Sequence, residues 1–180
     1  MDKTYKLKVA GLERELNICK LNDAISIAGF IMFSDVPLVE ACAKELLKKV
    51  PEFDCILTAE SKGIPLAYEM SRLSGKQYYV ARKKLKAYMK EPVVVNVTSI
   101  TTLGVQTLIL DKTYIDEMKG KRLLIVDDVV STGESLRALE ELVSHTEAKL
   151  VGKAFVLAED TAADRKDIIY LEKLPIFPNK

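Results

Sequence analysis

The sequence has almost no surplus of charge: 27 Lys and Arg against 26 Asp and Glu leave a formal +1 over 180 residues. A dedicated nucleic-acid binder would carry a basic excess or stripe, so no nucleic-acid partner is expected. Histidine occurs once, at His145, and cysteine three times, at Cys19, Cys42 and Cys55. An odd number of cysteines without metal-ligand spacing reads as buried, reduced thiols, and no metal ligand is assigned. Long apolar runs are also missing. The most apolar N-terminal stretch, Ala24 to Phe33, contains Ser26 and Gly29 and is too short to span a bilayer. Met1 to Lys8 alternates charged and apolar residues and lacks a signal-peptide profile, so a cytoplasmic protein is expected. Repeats, low-complexity tracts, a Gly-Lys-Ser/Thr phosphate loop and a dinucleotide-binding glycine fingerprint are all lacking.

What is present is an ordinary globular composition, 48% hydrophobic and 29% charged, at a length that suits one domain with a real core. Tyr5 to Val9 alternates as a strand and Gly11 follows as a turn. Asp35-Val36-Pro37 reads as a helix start with Asp35 as N-cap, and the helix continues through Leu38, Ala41, Cys42, Glu45 and Leu46 until Pro51 ends it. Asp54 to Thr58 is a short buried strand that runs into Ala59-Glu60-Ser61-Lys62-Gly63, with a helix from about Pro65 to Leu73. Further strands are expected at Gln77–Ala81, Lys121–Val126 and Lys149–Leu157, with a helix from about Ser135 to Val143. This alternation predicts an α/β fold, a parallel sheet with helices on both faces. In such sheets a ligand sits at the carboxyl ends of the strands. Two pieces fall outside the alternation: residues 1–34, expected to form a small cap, and Val93 to Leu110, expected to form a β-hairpin around Leu103-Gly104.

The chemistry concentrates in Leu123-Leu124-Ile125-Val126-Asp127-Asp128-Val129-Val130-Ser131-Thr132-Gly133-Glu134-Ser135. An apolar strand ends in two carboxylates and turns through small residues into a helix. Ser131, Thr132, Gly133 and Ser135 offer hydroxyls and open backbone N–H groups at a helix N-terminus, where a phosphate is best held. Vicinal sugar hydroxyls suit Asp127 and Asp128 just upstream. The alternative is a capped helix after a buried strand with no ligand, but two adjacent acids at the end of an apolar strand are costly to bury without partners.

This thirteen-residue segment resembles the 5-phosphoribosyl 1-diphosphate (PRPP) motif of type I phosphoribosyltransferases. The resemblance implies a parallel-sheet, Rossmann-like core from residue 35 to 180, an N-terminal hood over residues 1–34, and a flexible hood loop at about 86–110. It implies that Asp127 and Asp128 bind the ribose hydroxyls and act in catalysis. Val130, Ser131, Thr132, Gly133, Glu134 and Ser135 would form the 5′-phosphate loop. Glu60, Ser61, Lys62 and Gly63 fall where the family has its pyrophosphate loop, often with a cis peptide that is not prolyl. Arg82, Lys83, Lys86 and Tyr88 resemble the basic stretch of adenine phosphoribosyltransferases, with Lys86 the third catalytic candidate. Mg²⁺ held largely through PRPP, PRPP and a purine base as substrates, and a homodimer are further implications.

The resemblance is nearest to the adenine and xanthine branch, whose ending is matched by Val151-Gly152-Lys153-Ala154-Phe155-Val156-Leu157. Adenine enzymes commonly carry Glu-Tyr-Gly in the hood loop, where this chain has Thr102-Leu103-Gly104. Glu159 or Asp160, in the acidic stretch Ala158 to Arg165, could meet an exocyclic amine, against the reading of a solvated loop. Ile27 and Phe30 could stack on a base, although apolar residues there are more often core. Purine salvage with adenine favoured is the function implied. The alternatives are a xanthine or hypoxanthine-guanine enzyme, or a PRPP-binding regulator of purine metabolism. Such regulators carry a DNA-binding domain ahead of the transferase-like part, whereas residues 1–34 alone precede the first parallel unit here. Orotate ranks lower, since the Lys-Asp-His-Gly loop of orotate enzymes is missing.

Overall fold

A computed structural model describes residues 3–98 and 105–179. The chain opens as a tight antiparallel hairpin, β1 (Thr4–Val9) and β2 (Leu12–Lys20). Ala10 and Gly11 between them both take positive φ, 50° and 78°, as a two-residue hairpin turn demands. β3 (Ile25–Ala28) adds to β2, and the fourth strand of this small sheet comes from the far end of the chain.

Helix α1 (Val36–Leu47) begins where its sequence says it should. Asp35 accepts a hydrogen bond from the Leu38 N–H at 3.2 Å, and Pro37 occupies the first turn, where a missing N–H costs nothing. Arg14 of β2 also grips Asp35, donating through Nε at 2.6 Å and Nη2 at 3.0 Å, and holds its carboxyl below the usual carboxylate range. One side chain thus caps the helix and pins the hairpin to it. Asp35→Ala should cost about 1–2 kcal/mol, read as a thermal midpoint lower by about 2–6 °C. Because the Asp35 pKa is depressed, this stabilisation is present above the usual carboxylate range and is lost as pH falls through the lowered value. The midpoint gap between wild type and variant should therefore narrow in acid. The helix ends at Leu47, with Lys48 as its C-cap, four residues before Pro51 could stop it.

The parallel core follows: β4 (Cys55–Ala59), α2 (Ile64–Ser74) and β5 (Gln77–Ala81). β6 (Val93–Thr98) and β7 (Val105–Leu110) pair antiparallel as the expected hairpin, from Val93 with Leu110 to Thr98 with Val105. The expected turn at Leu103-Gly104, and the whole of Thr102-Leu103-Gly104, lie outside the described residues. Then come α3 (Lys112–Met118), β8 (Arg122–Val130), α4 (Glu134–Ser144) and β9 (Lys149–Glu159). A 3-10 turn (Asp160–Asp164) leads to β10 (Ile169–Leu174) and β11 (Ile176–Pro178).

The main sheet has the order β10-β9-β8-β4-β5, with every pairing parallel. Period-two alternation sends Leu123 and Ile125 of β8 into one core with Leu110, Met118 and Leu139, beneath α3 and α4. Leu124 and Val126 go to the other face, with Leu46, Leu66 and Met70 of α1 and α2. Burial on both faces is why these strands read as unbroken apolar runs. The hood contributes Leu7, Val9, Leu16 and Phe30 to that second core.

Two further expectations need correction. β8 does not stop at Val126 but continues through both acids to Val130, because β9 pairs with it as far as Val130 opposite Ala158. The hood sheet is closed by β11, which pairs antiparallel with β3, while Ser26 donates to Asn179 Oδ1 at 2.7 Å. No helix among the described residues is long and apolar enough to cross a membrane.

Candidate active site

β8 and β4 end side by side at the carboxyl edge of the sheet, so their following loops must face each other. From β8 come the acids. Asp128 is 3% exposed, and its Oδ2 is buried, 3.3 Å from Lys62 Nζ and without a hydrogen bond among the described residues. Asp127 is half-buried and its Oδ1 accepts the Asp128 N–H at 2.9 Å. Burial pushes the Asp127 carboxyl above the usual range, and the charge of Asp128 pushes it further.

Past Val130 the chain turns through exposed Ser131 and Thr132 to Gly133, which takes the left-handed conformation (φ +80°) and caps α4 without a side-chain bond. Val129 to Leu136, with Asp127, Leu139 and Phe155, line a cavity of about 110 Å³. Its floor is the first turn of α4, so the helix dipole and backbone N–H groups favour an anion there. Glu134 is buried at 5% and Ser135 is half-buried, and both are engaged by neighbouring groups. The loop from Val130 to Ser135 is therefore together in space.

The facing loop follows β4. The Glu60-Ser61 peptide is cis, as the family resemblance implies. Exposed Lys62 crosses to Asp128, and buried Gly63 packs against β8. Glu60 joins this loop to the basic stretch: its N–H donates to Ala81 O at 2.8 Å, and its Oε2 accepts the Lys83 N–H at 3.0 Å. Arg82 Nε lies 3.3 Å from the same oxygen, and the backbone N–H of Lys83 with nearby Arg82, Lys86 and Lys83 charges holds Glu60 below the usual range. Arg82 also exchanges two 2.8 Å backbone bonds with Ile109, which fixes the root of the hairpin beside the site. Lys86 is half-buried, while Lys83 and Tyr88 face solvent, Tyr88 at 67% exposure.

The four candidates for the base are more dispersed. Ile27 is half-buried in β3, opposite Cys19 and Ile176, and Phe30 is packed into the hood core at 4% exposure. Glu159 ends β9 half-buried, and exposed Asp160 begins the next turn with φ +47°.

Sequence reasoning missed two residues. Thr58 is wholly buried at the end of β4, with its hydroxyl lacking a hydrogen-bond partner among the described residues. A hydroxyl in the otherwise apolar run Cys55-Ile56-Leu57 was the available signal. Arg165 reaches the turn before α4 from the β9–β10 connection: a Cβ built on Gly133 would lie 2.9 Å from its Nη1. Nothing local in the sequence shows that approach.

An adjacent acid pair, a cavity at the start of α4 and a facing loop that carries Lys62 share the carboxyl edge of the sheet. The chain belongs to the phosphoribosyl transferase domain family, whose model matches residues 34–176. It is 35% identical over 127 residues to the adenine phosphoribosyltransferase of Cenarchaeum symbiosum, covering 68% of this chain and 72% of that one. With the xanthine phosphoribosyltransferase of Clostridioides difficile it shares 30% identity over 141 residues, 76% of this chain and 73% of that one. A probable purine biosynthesis transcriptional regulator of Streptococcus pneumoniae is 26% identical over 152 residues, 81% of this chain and about half of the regulator, 54%. The fold superposes on adenine phosphoribosyltransferase from Saccharomyces cerevisiae with TM-score 0.65 at 21% identity, covering 93% and 92% of the two chains.

Proposed function

We propose that this protein is a purine phosphoribosyltransferase of salvage that joins a purine base, adenine favoured, to PRPP, giving a nucleoside 5′-monophosphate and pyrophosphate. The observation that carries this reading is the adjacent pair Asp127 and Asp128 beside the 110 Å³ anion cavity. A ring nitrogen of the base attacks C1 of the sugar, the C1–oxygen bond to pyrophosphate breaks, and the displaced N–H proton goes to solvent. The sugar passes through an oxocarbenium-like state, so positioning and electrostatics carry the rate.

In this scheme Asp127 and Asp128 accept hydrogen bonds from the ribose hydroxyls. Val130 to Ser135 hold the 5′-phosphate through backbone N–H groups and hydroxyls. Ser61, Lys62, Gly63, Arg82, Lys83, Lys86 and Tyr88 receive the pyrophosphate, with Lys86 meeting its developing charge and Glu60 anchoring the basic stretch. Ile27, Phe30, Glu159 and Asp160 remain the candidates on the base side. Residues 1–34 act as the hood and 86–110 as the loop that shields the reacting carbon from water.

A divalent ion fits this site only in company with substrate. Among the described residues no three His, Cys, Asp or Glu side chains cluster to ligate a metal. Among the described residues, Asp128 Oδ2, buried without a hydrogen bond and 3.3 Å from Lys62 Nζ, is an acceptor suited to face it. Mg²⁺ would be held mostly by PRPP oxygens and would supply charge neutralisation. The family resemblance supports a cytoplasmic homodimer, which sedimentation would test.

The deciding experiment incubates the protein with Mg²⁺, PRPP and, in turn, adenine, hypoxanthine, guanine, xanthine and orotate, and follows pyrophosphate release. Turnover with adenine is expected. The likeness to the streptococcal regulator favours one second reading, a PRPP-binding regulatory protein. Tight PRPP binding without turnover on any base would select it.

A further inference from the structure

The connection after β9 carries an arginine that the reaction scheme does not use. Arg165 follows the 3-10 turn (Asp160–Asp164), and its guanidinium is held as a fork by Asp167, Nε donating to Oδ1 at 3.0 Å and Nη2 to Oδ2 at 2.7 Å. Asp167 is itself fixed by Lys153 of β9, which also donates to Glu140 of α4 at 2.8 Å. Arg165 and Lys153 balance Asp167 and Glu140, so the cluster is a neutral scaffold rather than a basic patch. Bidentate pairing leaves little freedom to the guanidinium plane. Its third nitrogen, Nη1, is the end turned toward the phosphate-binding turn, so near Gly133 that an added Cβ there would stand 2.9 Å away. Gly133 is the left-handed residue through which that turn enters α4.

A surface ion pair that merely closes a connection would be worth little. Here the cluster ties three elements together, α4, β9 and the β9–β10 connection, and sets Arg165 Nη1 beside the turn that lines the cavity.

We propose that Arg165 is a positioning residue for the 5′-phosphate loop, bracing Gly133 so that the start of α4 is preformed for phosphate. The proposal rests on the phosphoribosyl reading of the cavity. It also joins the two halves of the site, since the segment from Glu159 to Asp164 on the base side is followed directly by the residue that braces the phosphate turn.

The test measures binding of ribose 5-phosphate, PRPP and pyrophosphate by calorimetry to wild type, Arg165→Met, Arg165→Lys and Asp167→Asn. Arg165→Met should weaken ribose 5-phosphate and PRPP by about tenfold, the size of one charge-assisted contact. Pyrophosphate should stay within about twofold, because its loop is elsewhere. Arg165→Lys should restore only part of the loss, since an ammonium cannot pair with Asp167 bidentately and still face Gly133. Asp167→Asn, which keeps the guanidinium but loosens its fork, should show a smaller loss confined to the same two ligands, and it serves if Arg165→Met fails to fold. In turnover the loss should fall on the KM for PRPP and not on the KM for the base. Undiminished ribose 5-phosphate binding by folded Arg165→Met overturns the proposal, and so does an equal loss of all three ligands. Wild type that binds neither ribose 5-phosphate nor PRPP overturns the phosphoribosyl reading and the proposal with it.

Discussion

Gly63→Ala should leave a folded protein with about a hundredfold less activity, because a misplacement near 1 Å at a reacting centre is worth that much. The backbone is not the obstacle, since Gly63 has φ −74°, which alanine adopts freely. Space is. A Cβ at this position would collide with Asp127 Oδ1 and Thr58 Oγ1 and come 3.1 Å from Asp127 Cα. Side chains could rotate away from the first two clashes, but the third is with the backbone of β8. The loop after β4 must then lift from the sheet and carry Lys62 away from Asp128. Overpacking of this kind costs about 1–3 kcal/mol, so the thermal midpoint should fall by several degrees without loss of the fold. The check is steady-state pyrophosphate release beside a melting curve. A KM for PRPP and a kcat both unchanged in a stable variant would show that the close approach of the two loops is unimportant.

The same closeness explains what could be read in the sequence. Asp127 to Ser135 stand out in the sequence because strand, acids, turn and helix start follow one another without a break. Gly63 and Lys62 stand out from their place after a buried strand. The partnership of Gly63 with Asp127 was not, since it arises only when β4 and β8 lie adjacent in the sheet. Residues distant in sequence account for the other omissions. β11 closes the hood sheet against β3, and the Ser26–Asn179 bond spans 153 residues, beyond any local pattern. β2 escaped notice because its residues alternate between exposed and half-buried, leaving only Leu16 fully inside. α3 is a single short stretch whose cap, Asp111, accepts the Thr113 N–H at 2.8 Å but follows directly on β7. The extension of β8 past Val126 was hidden by the acids themselves, which resemble a strand end in sequence and become strand only through pairing with β9. Base recognition was the least legible part, because its candidates come from the hood, from β9 and from the turn after it.

The adjacent acids make the second large effect one of protons as well as affinity. Burial, then the neighbouring Asp128 charge, raises Asp127 above its ordinary value near 3.9, so the ligand-free pair holds a proton into the neutral range. A folded-state pKa above the unfolded one stabilises the protein fully below the usual carboxylate range, and that contribution is lost as pH rises through the raised value. Ribose hydroxyls donate hydrogen bonds and a divalent ion brings positive charge, so both favour the ionised pair. PRPP with Mg²⁺ should therefore expel a proton on binding and bind more tightly as pH rises through neutrality. Calorimetry in buffers of different ionisation enthalpy measures that proton directly. The double variant Asp127→Asn with Asp128→Asn removes two charge-assisted acceptors, at about 1.5–3 kcal/mol each, so PRPP affinity should fall by about a thousandfold. Its stability should move the other way above neutral pH, since two amides escape the repulsion that the carboxylates suffer. A double variant that kept its PRPP affinity would remove the acids from the ribose site. A wild type whose stability climbed through the neutral range would mean that the pair sits ionised in the free protein, with Lys62 against Asp128 outweighing burial.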